Sequence, residues 1–434
     1  MTNAAVVLCM DASASMTYRG YFEPAKTDAA TFAYVMKIGD SIGVIAFGDS
    51  ASTAYPPSGD DVATISSQAI QDDVSGAIMA MQAAAGTNVS AGLAASQAML
   101  SAAADPKAIV LLSDGEWNLG PNPLGALSAL SPVYTVALGP DGGTDTLQQI
   151  AAITGGRYNF APTVFALADV YNEIIVQARV AAVVASRTQL VQPHRDWTLP
   201  AAVAEGAAET IFSVSWSDPA VAYTSAMPAG EQIAIAIQTP SGEALTPAPA
   251  ASGHGFAVFK IRNPQAGLWH VAIRSSASAP LGTCATVFDP RSDIQSEIEA
   301  PASAKVGRSV PVSVKIRDAD GTAPSDLRVA ASVEMPTMNP EDAMRKFRAE
   351  LDALAPGSDN ARMRELQFRR GPGDLLLPYD HIPVEVRTKK DGTAKLAFTP
   401  KFKGGHIVRL HITGRMANDK REFSLARRIS VWIE

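Results

Sequence analysis

Residues 4–10, Ala-Ala-Val-Val-Leu-Cys-Met, are apolar without alternation, and the run stops at a carboxylate, Asp11. A segment that is apolar at odd and even positions alike, and rich in Val and Leu, is a strand buried on both faces, as in a parallel sheet covered by helices. The turn that follows reads Asp11-Ala12-Ser13-Ala14-Ser15-Met16. If the backbone stays extended there, Asp11, Ser13 and Ser15 present three oxygens to one side, with small alanines on the other. One carboxylate and two hydroxyls are hard donors, suited to Mg²⁺, Mn²⁺ or Ca²⁺ and poorly suited to Zn²⁺.

Two later stretches belong with this turn. Gly86-Thr87-Asn88 precedes the apolar-periodic segment Leu93 to Leu100, which puts Thr87 in a loop leading into a helix. Residues 108–112, Ala-Ile-Val-Leu-Leu, form a second buried strand, which runs through Ser113 into Asp114 and the Gly115 that a sharp exit needs. Loops at the carboxyl ends of neighbouring parallel strands converge on one crevice. That convergence brings Asp11, Ser13, Ser15, Thr87 and Asp114 together.

Asp11-x-Ser13-x-Ser15, Gly86-Thr87-Asn88 and Ser113-Asp114-Gly115, in this order, resemble the metal-ion-dependent adhesion site of the von Willebrand factor A (integrin I-type) domain. The resemblance implies an α/β doubly wound, Rossmann-like domain. It also implies one divalent ion, Mg²⁺ or else Mn²⁺ or Ca²⁺, held by Asp11, Ser13, Ser15, Thr87 and Asp114. One coordination position would be left for an acidic residue of a protein partner. Glu116 and Trp117 follow directly and are candidate rim residues for that contact.

A chain of 434 residues is too long for one core and divides into about three domains. Residues 1–182 carry 6 Lys+Arg against 16 Asp+Glu, and the remainder 30 against 27. An acidic first domain repels phosphate, which argues against nucleic acid, and suits a cation site. Cys9 and Cys284 fall in different domains, so a disulfide is not expected and a reducing compartment is. With no leader-like segment and no apolar run long enough to span a bilayer, the reading is cytoplasmic, or secreted by a leaderless route.

Residues 1–184 alternate strand and helix patterns, with helices from about Pro24 to Lys37, Ile65 to Gln82, Ser90 to Ala103, and Thr163 into the 180s. From 185 to 290 short alternating strands separated by Pro and Gly predict a β-sandwich. This stretch resembles, more loosely, the β-sandwich of bacterial relatives of the calcium-activated chloride channel regulators. Their protease activity does not carry over, because none of the six His stands in a His-Glu-x-x-His pattern. Residues 291–434 look like an immunoglobulin-like module with a helical insert at about 339–373. In that insert Asn339 can cap, Pro340 fits the first helical position, and Met344, Phe347, Leu351 and Leu354 form one apolar stripe. The arginines at 362, 364, 369 and 370 suggest contact with a partner or an anionic surface, against a helix packed on its own sandwich.

No nucleophile motif, Cys-x-x-Cys or phosphate loop is present, so the expectation is a metal-dependent binding or adhesion protein, not an enzyme. Alternatives are a leaderless secreted effector or toxin, an adaptor for a cytoplasmic ring ATPase, and a metal-dependent hydrolase that would use Glu116 as base.

Overall fold

The computed structural model describes residues 3–59, 61–114, 117–139, 145–245, 247–253, 255–354 and 357–434. Its first region contains the strands β1 (Ala5–Asp11), β2 (Ser41–Phe47), β3 (Ala51–Tyr55), β4 (Ala63–Thr64), β5 (Lys107–Ser113), β6 (Val133–Leu138) and β7 (Tyr158–Ala161). They form one sheet in the order β3-β2-β1-β5-β6-β7, with β4 also on β2. β2, β1, β5, β6 and β7 are parallel, and only β3 and β4 run against β2.

Helices cover both faces: α1 (Ala14–Tyr18), α2 (Phe22–Val35), α3 (Gln68–Met79), α4 (Val89–Met99), α5 (Asp145–Thr154) and α6 (Leu167–Gln177). The uniform apolarity of β1 follows from this layering. Val6, Leu8 and Met10 pack with α2, α3 and α6, while Val7 and Cys9 pack with α4 and α5. All seven residues of β1 are buried.

The helix expected from Thr163 into the 180s is shorter. A 3-10 turn, Val164–Ala166, leads into α6, and Ala182–Val191 is a strand. The reversal sits at Arg179, whose φ of 60° lets Val180 N–H close onto the Ile175 carbonyl. The β-branched residues beyond it then pair with Leu281–Asp289.

From there on the chain is β-rich. Two five-stranded sheets, built around Glu209–Trp216 and Gly267–Ser275, enclose a core that includes Phe212, Trp269 and Phe259. A four-stranded and a five-stranded sheet follow around a third core with Val312, Leu396, Ile412 and Ile429.

These regions are not beads on a string. Ile211, Phe256, Val258 and Phe288 of the second region lie in the same apolar cluster as α2 and α6 of the first. Lys260 Nζ donates to Gln71 Oε1 at 2.7 Å, and Asn172 Nδ2 to Thr286 Oγ1 at 2.7 Å. The final strand, Glu422–Ile433, reaches the first region too, where Ser430 Oγ accepts Phe160 N–H at 3.0 Å.

Between the strands Pro324–Pro336 and Tyr379–Val384 stand three helices, α7 (Pro340–Lys346), α8 (Arg348–Asp352) and α9 (Asp359–Arg370). They share a small core containing Ala343, Leu351, Met363 and Leu366. Their basic residues are largely matched internally: Arg362 pairs with Asp352 and Asp359, and Arg370 with Glu350 and Asp374. α9 packs on the first region. The Phe368 ring lies where a side chain on Gly20 would project, and Arg364 does the same to Gly139, so neither glycine could carry a Cβ without moving those side chains. Among the described residues no helix is long and apolar enough to cross a membrane.

Candidate metal centre at the carboxyl edge of the sheet

β1 and β5 are hydrogen-bonded neighbours, so their ends deliver Asp11 and Asp114 to the same edge of the sheet. Asp11 is 1% exposed and Asp114 is fully buried. Two buried carboxylates so placed repel each other. Burial first, and the charge of Asp114 second, push the Asp11 carboxyl up to about 7, against hydrogen bonds that favour its ionised form. Those bonds come from Ser113 Oγ at 2.6 Å on Asp11 Oδ2 and from Ser13 N–H at 2.8 Å on Oδ1.

The turn is not extended through Ser15. Ser13, at φ −59° and ψ 159°, is the N-cap of α1, so Ser15 lies in the first helical turn. The two hydroxyls meet all the same, with Oγ to Oγ at 2.9 Å. An N-cap followed by one turn brings the capping residue and the second helical residue to the same end of the helix, as alternation along a strand would have done.

The Thr87 loop is laid over this turn by backbone bonds. Ala84 N–H donates to the Ala12 carbonyl at 2.7 Å, and Ala14 N–H to the Ala85 carbonyl at 3.5 Å. Each residue of Gly86-Thr87-Asn88 has its own reason to be there. A Cβ on Gly86 would collide with Leu119 and with Asp49, whose Oδ1 accepts Gly86 N–H at 2.9 Å. Asn88 Oδ1 caps α4 by accepting Ala91 N–H at 3.0 Å. Thr87, 2% exposed, is tied to the segment after Asp114 by its N–H to Asn118 Oδ1 at 3.0 Å and by Asn118 N–H to its carbonyl at 3.1 Å. All three motif loops are thereby stitched into one edge.

Glu116 lies outside the described residues. Trp117 is 38% exposed, and the same loops expose Tyr18 at 80% and Leu119 at 42%, two apolar side chains that sequence reasoning had not picked out. It also passed over Arg19. Arg19 is buried, and its Nη1 donates to Asp114 Oδ2, so a guanidinium already sits against the second carboxylate. Nothing in the motif spacing signals this; only α1 turning back over the sheet edge does.

The donor set fits one hard divalent cation. It offers two carboxylates that repel each other in a buried setting, the paired hydroxyls of Ser13 and Ser15, and Thr87 in the loop laid over them. Among the described residues no group of three His, Cys, Asp or Glu could hold a metal ion, and only two of the five candidate ligands are of those types. Arg19 is the departure from a simple cation cradle, because it partly neutralises Asp114.

Residues 6–116 match the family model of the von Willebrand factor type A domain. No curated protein matches the chain. Among solved structures it is similar to a von Willebrand factor type A protein from Catenulispora acidiphila, at 15% identity and TM-score 0.38, covering 73% of this chain and 63% of that one. It is similar to the ArnB paralog VWA2 from Sulfolobus acidocaldarius at 11% identity and TM-score 0.33, covering 73% of this chain and 62% of that one. A third is the pilus adhesin SpaC from Lactobacillus rhamnosus GG in its open conformation, at 12% identity and TM-score 0.35, covering 92% of this chain and 52% of that one. The chain thus spans 52–63% of the length of these structures. It carries a von Willebrand factor type A domain at its N-terminus, followed by a β-rich remainder.

Proposed function

We propose that this is a metal-dependent protein-binding protein of the adhesion or scaffold kind, and not an enzyme. Asp11, Ser13, Ser15, Thr87 and Asp114 would hold one Mg²⁺ (or Mn²⁺ or Ca²⁺), which when bound offers an open coordination position to a Glu or Asp of the partner. The observation that carries this reading is the juxtaposition of two repelling buried carboxylates with the paired hydroxyls of Ser13 and Ser15 at one sheet edge. Around it Tyr18, Trp117 and Leu119 supply exposed apolar surface of the sort that interfaces bury.

Arg19 gives the site a second property. Its guanidinium on Asp114 lowers the repulsion between the carboxylates when no ion is present, and so competes with a divalent cation for the same charge. We read the two pairs of sheets that follow as immunoglobulin-like modules that present this edge. Capture of partners from the native cell by the immobilised full chain tests the proposal. Binding should vanish with EDTA, return with Mg²⁺ or Mn²⁺, and be absent in Asp11→Ala; partner capture indifferent to chelation would overturn it.

A further inference from the structure

A cavity of about 430 Å³ lies between α2 of the first region and the second region, lined among others by Asp28, Met79, Phe165, Trp216 and Cys284. Asp28 is the unusual member. It is 7% exposed, and among the described residues no hydrogen bond or ion pair engages its carboxyl. A buried carboxyl with no donor in reach is costly for a fold to keep, so its presence calls for a partner that the chain itself does not provide.

The neighbouring charges leave that role open. Lys26, two residues before it on α2, is turned elsewhere, with Nζ on Glu23 Oε1 at 2.8 Å and on the Met79 carbonyl at 3.2 Å. Glu23 also borders the cavity, but that contact with Lys26 occupies its charge, and its side chain is 64% exposed. Cys284 brings no charge, since burial pushes its thiol up to about 12. Burial likewise holds the Asp28 carboxyl well above the usual carboxylate range, with no opposing contribution from any neighbour.

We infer that this cavity binds a small organic cation, with the Asp28 carboxylate as counter-ion and the Trp216 and Phe165 rings as its walls. A bare metal ion is disfavoured by the same lining, because Met79, Val164, Phe165, Trp216 and Pro219 give one carboxylate a mostly apolar surround. An ammonium on an apolar body matches both halves: the charge meets Asp28, and the body meets rings whose faces attract cations. The volume falls within the range of small-molecule sites, and a seam between domains is a usual place for one. This inference is independent of the metal centre.

The test uses the full chain and two probes of nearly equal shape, benzylammonium and benzyl alcohol, titrated by calorimetry at pH 7.5. Benzylammonium should bind at least tenfold more tightly than the alcohol. Asp28→Asn should fold at least as stably as the parent, since it removes a carboxyl that nothing in the chain supports, and should lose the preference. Ala168→Phe, which fills the cavity and leaves Asp28 in place, should bind neither probe. Equal binding of the two probes, no binding of benzylammonium by the parent, or a preference retained in either variant overturns the assignment.

Discussion

The first region buries carboxylates in pairs at two places, and the two pairs are balanced very differently. On α6, Asp169 and Glu173 are one helical turn apart and face the last strands of the chain. Glu173 accepts both Arg427 Nη2 and, at 3.1 Å, Arg427 Nε, as well as the Arg428 backbone N–H at 2.9 Å. Asp169 Oδ2 lies 2.9 Å from Arg409 Nη1 and 3.0 Å from Arg428 Nε, and both contacts are ion pairs without hydrogen-bond geometry. Three arginines from another region therefore answer these two acids, Arg409 being shared with Glu334. At the sheet edge Asp11 and Asp114 share one guanidinium, Arg19, and it sits on Asp114. Buried charge is tolerated where fixed partners surround it, and left under-compensated where something has to bind. The α6 cluster is a structural clamp; the sheet edge, on the function proposed above, is where a cation would be held.

That contrast can be broken at either end. The largest effect is expected from Arg427→Ala, which strands the buried Glu173 carboxylate; urea unfolding should show a loss of about 3–5 kcal/mol, whereas truncating an exposed pair such as Arg328–Asp326 should cost under about 1 kcal/mol. A loss below about 1 kcal/mol at Arg427 would mean that the clamp is ornamental.

Next comes a buried base with no acid to answer it. His406 is fully buried, with Nδ1 3.1 Å from the Gly404 carbonyl and its ring stacked on Phe398 at 5.9 Å between centroids. Burial lowers its pKa to about 4 from 6.5. The folded state therefore takes up the proton later than the unfolded one as pH falls. Stability is complete above pH 6.5 and declines down to pH 4, by up to about 3 kcal/mol at 1.36 kcal/mol per unit. A His406→Phe variant should lose this part of the acid dependence in thermal melts followed across that window.

A smaller effect sharpens the comparison at the metal edge. Arg19→Gln removes the competing guanidinium while keeping a polar side chain, and should tighten Mg²⁺ binding about tenfold in calorimetric titration, or about 1.4 kcal/mol. Weaker Mg²⁺ binding would assign Arg19 to holding the site together instead. The smallest effect belongs to Phe368→Ala. A fully buried Phe costs about 3–5 kcal/mol on truncation, but Phe368 is 38% exposed, so about 1 kcal/mol is expected in urea unfolding.

What could be read from the chain and what could not divides along sequence separation. β1 and β5 were legible because burial on both faces leaves its mark in consecutive residues, and Asp11, Ser13, Thr87 and Asp114 because each stands at a strand or helix end. Ser15 stands beside Ser13 although the backbone there is helical and not extended, so alternation along a strand is not what brings the two hydroxyls together. Arg19 meets Asp114 across 95 residues, and Glu173 meets Arg427 across 254, distances over which no local pattern survives. The arginines of the insert looked like a free basic edge for the same reason. Two of their acids, Glu350 and Asp352, lie on a neighbouring helix whose packing is settled only by the shared core of Leu351, Met363 and Leu366, whereas Asp359, Glu365 and Asp374 stand three or four residues from Arg362, Arg369 and Arg370 and were within reach of a local reading.

The apolar cluster that joins α2 and α6 to Phe256, Val258 and Phe288 sets the unit in which this molecule can be handled. Excision before Ala182 would leave those helices with a greasy flank facing water, so the isolated N-terminal fragment should stick to itself. For the same reason a pull applied at the sheet edge would be passed through that cluster into the β-rich remainder.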